Sequence, residues 1–211
     1  MGETSLAARE RRALSYLLDQ LGPDAPTLCR GWTARDLAAH LVIREGRPDA
    51  AAGVLLPPLA GYTARVQRGA AQRPWRELVE QVRSGPPWWS PARLPWLSDK
   101  IDGIEFFVHH EDVRRARPGW EPRAADPRRA AQLWALLSRM VWLCYRNSPV
   151  GVVLRAPDGS ARIARHGERT VTVIGPPEEL VLHAYGRDQV VVDFEGDHLD
   201  VAGLQRSRRG F

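Results

Sequence analysis

An α+β fold of two domains is predicted by three features of the sequence. Apolar residues recur at helical spacing over the first two thirds. Near Asn147 the pattern changes to short β-branched runs. Pro and Gly punctuate the chain at the joins. The expected layout is a helical bundle over residues 1–147, then a small α+β domain over 148–211. At roughly 65 residues the second domain is near the lower limit for independent stability and is expected to dock on the bundle.

Each element follows from local chemistry. Ser5–Leu21 carries a stripe of Leu6, Ala13, Leu14, Leu17, Leu18 and Leu21, and Gly22-Pro23 stops it. Thr33 opens a second helix with Asp36 three residues on, a capping-box pattern, and that helix runs to about Glu45. Leu59–Arg68 and Pro74–Arg83 are shorter helices, the latter with proline in its first turn. Gly85–Leu97, rich in Pro and Trp without a period, reads as an ordered loop. Helices follow from about Asp99 to Ala116 and from Asp126 to Arg146, the last with Asp126-Pro127 as cap and first residue. Val150–Ala156, Ala161–Arg165, Thr170–Ile174 and Val190–Phe194 read as strands, while Pro176–Tyr185 and Asp197–Gln205 read as helices.

Composition narrows the function classes. With 44% hydrophobic residues and eight tryptophans, the chain has the material for a core, which excludes disorder. Its most apolar run, Leu133–Tyr145, is broken by Ser138 and Arg139 and is too short to span a bilayer. The charged start at Ala7–Arg12 does not read as a signal peptide, so a cytoplasmic protein is expected. Cys29 and Cys144 are too few for a disulfide scaffold, and Cys144 reads as a small buried hydrophobe. The arginine clusters at 9–12, 114–117 and 206–209 adjoin acids or a terminus and lack interleaved aromatics. Neither nucleic acid nor membrane is expected as a partner.

The chemistry concentrates around three residues. Glu105 and His109 lie four apart in a predicted helix and leave it on the same face, and Asp112 continues that face. His40 shares the inward stripe of Leu37 and Leu41 on the second helix. A histidine meeting a Glu/His pair makes a two-histidine, one-carboxylate site, which leaves a coordination position open on zinc. The same donors suit nickel, iron or manganese. The Glu/His spacing also occurs as a helix-surface pair worth ~0.2–0.5 kcal/mol. His110 points about 100° away, toward solvent or a neighbouring helix. His166, His183 and His198 read as structural, with His183 expected to lack partners.

The stretch Gly31-Trp32-Thr33-Ala34-Arg35-Asp36-Leu37-Ala38-Ala39-His40-Leu41 resembles the first signature of the DinB-like, mycothiol-dependent maleylpyruvate isomerase superfamily. Glu105 to Asp112 resembles its second, and Val171–Gly175 through Glu179-Leu180 to Gly186-Arg187 resembles its C-terminal signature. His40–Asp49 and Phe107–Arg115 look similar to an uncharacterised metal-binding subfamily of that group.

The resemblance implies a DinB-like four-helix bundle holding a divalent metal, usually zinc, on His40, Glu105 and His109. It implies a sterol-carrier-like C-terminal domain and a low-molecular-weight thiol cofactor, mycothiol. The implied activity is isomerase or S-transferase action on a small electrophile. Asp112 is expected to orient a ligand imidazole. Arg187 is expected to steady developing negative charge, with helix C-terminal capping as its other reading. Two alternatives stay open: a metal-binding or stress-response module without turnover, and a zinc hydrolase using Asp112 or Glu45 as general base. The Pro57-Pro58 insertion and the Trp88, Trp89 and Trp96 loop do not map onto the isomerase.

Overall fold

A computed structural model describes residues 5–47, 49, 60–90 and 95–210. The Pro57-Pro58 insertion and the Trp96 side chain lie outside the described residues. The architecture is mixed helix and sheet, in two compact units, 1–121 and 122–211.

The first unit is helical: α1 (Leu6–Leu21), α2 (Ala34–Gly46), α3 (Ala60–Ala71), α4 (Trp75–Ser84) and α5 (Pro95–Arg114). Ser5 caps α1 by accepting the Ala8 N–H. Asp36 accepts from the Thr33 N–H and hydroxyl, each at 2.9 Å, at the start of α2. Helix α1 packs on α4 and α5, and α2 packs on α3 and α4. Leu14, Leu18, Leu37, Leu41, Leu78 and Phe106 fill the space between them. Helix α5 begins at Pro95, so the expected loop over Gly85–Leu97 gives way to helix at its end. Proline suits a first helical turn because its missing N–H would have no partner there.

Buried charge in this unit is paired. The Arg11 guanidinium forks onto Glu45, lies 4.1 Å from the Phe106 ring centre, and donates to the Val82 carbonyl at 3.0 Å. His110 faces α1, where its Nδ1 lies 2.9 Å from Glu10 Oε2. Glu111 takes Arg115 at 2.6 Å and Arg114 at 3.0 Å.

The second unit holds α6 (Pro127–Cys144), β1 (Gly151–Arg155), β2 (Ala161–Arg165), β3 (Thr170–Ile174), α7 (Pro177–Ala184), β4 (Asp193–Glu195) and α8 (His198–Arg206). The strand expected over Val190–Phe194 is displaced toward the C-terminus. Asp126 caps α6 by accepting from the Arg128 and Arg129 N–H groups. The sheet runs β2-β1-β3-β4, with β1 antiparallel to β2, parallel to β3, and β3 antiparallel to β4. Val152, Leu154, Val171 and Val173 are its fully buried residues, and only Ala164 is buried on β2. Gly159 closes the β1–β2 turn at φ 85°. Gly167 has no room for a side chain, since a Cβ there would lie 2.5 Å from the Gly151 nitrogen.

The two compact units divide at Glu121/Pro122, which places α6 in the same unit as the sheet. Helix α6 packs on α7 and β2. Its buried stripe is Leu133, Leu137, Val141 and Cys144. A small sheet needs a helical layer to cover its apolar face. An amphipathic pattern gives a helix its buried stripe but does not say which layer receives it.

Candidate metal centre

Helix α2 presents His40 and helix α5 presents Glu105, His109 and Asp112. The Glu105 Oε1 lies 3.3 Å from His40 Nε2 and 3.2 Å from His109 Nε2. The two imidazoles meet edge to face, their centres 5.3 Å apart. Trp32 packs on the other side of His40 at 5.1 Å between ring centres. Behind His109, Asp112 Oδ2 stands 3.0 Å from Nδ1 and is fully buried. The structure thus brings together His40, Glu105, His109 and Asp112.

Their electrostatics are coupled. Burial drives the His109 pKa down, but its hydrogen bonds to Asp112, Cys29 and Glu105 overcome that and hold it well above the ordinary histidine value. Both ring nitrogens face carboxylate oxygens, and both can donate only when the ring carries two protons. Burial likewise opposes the ionised Glu105. The bonds from His109 and His40 win and hold its pKa well below the usual carboxylate range. His40 is the opposite case: burial outweighs its bond to Glu105 and lowers its pKa, so it stays neutral.

Two residues were not assigned a role from sequence. Arg44, one turn beyond His40, places Nε 3.6 Å from Glu105 and donates to Asp102 at 2.6 Å. Its four-residue spacing from His40 was the available signal. Cys29 stands 3.1 Å from Asp112 Oδ2 and 3.8 Å from His109 Nδ1. It belongs to an irregular segment, where no periodicity could aim it.

Two imidazoles and one carboxylate with their donor atoms within 4.8 Å of one another fit a borderline divalent ion. Glu45, the other carboxylate considered as a base, has both oxygens committed to Arg11. A cavity of about 620 Å³ lies elsewhere in this unit, lined by Val42, Glu45, Arg47, Arg73 and Trp89. None of the triad lines it, so donor chemistry rather than cavity size marks the candidate centre. Trp88 is 82% exposed and covers no core edge.

In the second unit, Arg187 donates from Nη1 to the Tyr185 carbonyl at 2.6 Å, a helix-terminal contact at the end of α7. His183, expected to lack partners, is instead buried with Nδ1 2.7 Å from the Tyr145 hydroxyl. Its ring meets Phe194 edge to face. The helical pattern gave its face but could not supply a partner from the preceding helix's end. His198 is exposed beside its neighbour Asp197.

Two outcomes are expected here. Asp112→Asn should weaken metal binding about 10–100-fold, the usual cost of losing a group that orients a ligand imidazole. Competition with a chromophoric chelator would read it, and unchanged affinity would remove Asp112 from that role. Metal binding at neutral pH should also release about one proton, because the metal-free His109 holds two and His40 one. Affinity therefore falls as the pH drops below the raised His109 value. Calorimetry in buffers of different ionisation enthalpy measures the released proton directly; zero release contradicts the doubly protonated ring.

No family model matches the sequence, and no curated protein does. Two solved structures align over 91% of this chain and 91% of theirs at 20% identity. One is a crystal structure of the mycothiol-dependent maleylpyruvate isomerase, with a TM-score of 0.49. The other is a histidine-to-alanine mutant of that isomerase, with a TM-score of 0.48. Likeness of that degree assigns neither family nor activity. No helix among the described residues is long and apolar enough to cross a membrane.

Proposed function

We propose that this protein binds a divalent metal, most fittingly zinc, and works as a mycothiol-dependent isomerase or S-transferase on a small electrophilic substrate. The observation that carries the reading is the convergence of His40, Glu105 and His109 from two helices, with Asp112 behind His109. Those three residues would hold the ion. A divalent cation in such a site stabilises a thiolate over its thiol, which supplies the nucleophile at neutral pH.

The chain's own residues do the rest. Asp112 accepts from His109 Nδ1–H, fixes the tautomer and aims Nε2 at the site. Glu105 offers negative charge between the imidazoles, with Arg44 alongside to limit it. The signature resemblance supports the thiol, and gives Arg187 the role of steadying developing negative charge. Its contact with Tyr185 supports the capping role instead, so the two are to be separated by experiment.

The hydrolase reading is disfavoured by two commitments. Asp112 accepts from His109 and Cys29, and Glu45 is held in the Arg11 fork. Neither carboxylate is placed to take a proton from an activated water.

The test is metal analysis followed by thiol titration of cobalt-substituted protein. One equivalent of metal and a cobalt spectrum shifted by mycothiol support the reading. An unchanged spectrum leaves a metal-binding module without thiol chemistry. Arg187→Ala lowering turnover at constant metal content would support its catalytic role; unchanged turnover would leave it as a cap.

A further inference from the structure

His109 faces a different set of donors through each ring nitrogen. Nε2 faces Glu105 and His40, whereas Nδ1 faces Asp112 at 3.0 Å and the Cys29 thiol at 3.8 Å. Cys29 Sγ and Asp112 Oδ2 are 3.1 Å apart. An ion bound at usual zinc distances to S, N and O in tetrahedral geometry separates its ligands by about 3.3–3.6 Å. All three observed separations lie near that span, so the donors need shift only by tenths of an ångström. Cys29, Asp112 and His109 thus form a three-donor cluster of their own.

The segment carrying Cys29 is pinned where the thiol needs it. The Leu28 N–H donates to the Asp112 carbonyl at 3.0 Å, which ties the loop to the end of α5. The Cys29 carbonyl accepts from the Trp32 N–H at 2.9 Å and from the Thr27 hydroxyl at 3.3 Å. Cys29 is half-buried, while Asp112 is fully buried.

We infer that Cys29, His109 and Asp112 form a second cation site, selective for thiophilic ions, which competes with the His40–Glu105–His109 site for a single ion. A neutral imidazole has one lone pair, so an ion on Nδ1 leaves the ring proton on Nε2, where Glu105 accepts it. An ion on Nε2 leaves the proton on Nδ1, where Asp112 accepts it. Each tautomer therefore has its acceptor in place. A sulfur donor makes the Nδ1 site the home of soft ions, and the all-N/O site the home of harder ones. Binding breaks the Cys29 S–H and His109 Nδ1–H bonds, forms a metal–sulfur and a metal–nitrogen bond, and passes both protons to solvent. The inference shares His109 and its partner Asp112 with the proposed centre and does not require thiol-dependent turnover.

Cadmium is the probe. Titrating metal-free protein should give a thiolate-to-cadmium charge-transfer band that saturates at one equivalent. The band should persist in the His40→Ala/Glu105→Gln variant and in Cys144→Ala, and vanish in Cys29→Ser. In unmutated protein, cadmium should slow alkylation of Cys29 at least tenfold, located by mass spectrometry, and manganese should not. Absence of the band, its survival in Cys29→Ser, its loss in His40→Ala/Glu105→Gln, or unprotected Cys29 would each overturn the site. A failed proposed function with an intact Cys29 band would leave this inference standing.

Discussion

Replacing His40 with alanine should lower zinc affinity by about two to three orders of magnitude and leave the helical content unchanged. Structural zinc sites bind with about 10–16 kcal/mol over four ligands, so one ligand is worth roughly 3–4 kcal/mol. At 1.4 kcal/mol per factor of ten, that is a several-hundredfold loss. The fold should survive because α2 is held by Leu37, Ala38 and Leu41, all fully buried, and not by the imidazole. His40 is neutral in the metal-free protein, so its removal strips no charge from the core. Chelator competition gives the affinity and far-ultraviolet circular dichroism the fold. Native affinity in the variant would show that His40 is no ligand.

Acid should destabilise the second unit through His183. Burial, reinforced by the positive charge of Arg209, depresses its pKa from 6.5 to about 3. Between those values the unfolded chain binds a proton that the folded chain refuses, so stability falls as pH drops from 6.5 toward 3 and rises on neutralisation. At 1.36 kcal/mol per pH unit the loss reaches roughly 4–5 kcal/mol by pH 3. That is a large share of the stability of a small unit. The Nε2 atom has no hydrogen-bond partner among the described residues, so in the doubly protonated ring its N–H would find no acceptor. Changing His183 to Leu alone would orphan the Tyr145 hydroxyl, so the comparison is with His183→Leu/Tyr145→Phe, which removes both partners. Urea unfolding across pH 3–7 should show a flatter acid limb in the double variant. An unchanged slope would mean that other groups carry the acid sensitivity.

How much of this was legible in the sequence depends on the element. Helix α1 has a clean apolar stripe and a serine cap, and its boundaries followed from those two features. The Thr33/Asp36 pair likewise located the start of α2. Helix α5 is different. Residues 106–113 are buried without a break, and six of the eight are apolar or carboxylate side chains that a surface helix would sort onto opposite faces. Spacing alone placed Glu105, His109 and Asp112 on one face, but spacing cannot say what stands opposite. The contacts of Asp112 with Cys29, 83 residues away, and of His110 with Glu10, 100 away, arise only when elements pack. Helix α6 is a similar case: its stripe was legible, but its packing on α7 and β2 was not.

The strand order of the second unit bears on how the chain leaves the ribosome. β1 and β2 form a local hairpin across the Gly159 turn and can pair as soon as both have emerged. The opposite edge of β1 belongs to β3, in parallel and full register from Gly151 to Arg155. Until residue 174 has emerged, the nascent hairpin carries Val152 and Leu154 on a strand with one bare edge, the arrangement that invites pairing with another chain. The interval between the emergence of residue 165 and that of residue 174 therefore sets how long that edge stays open.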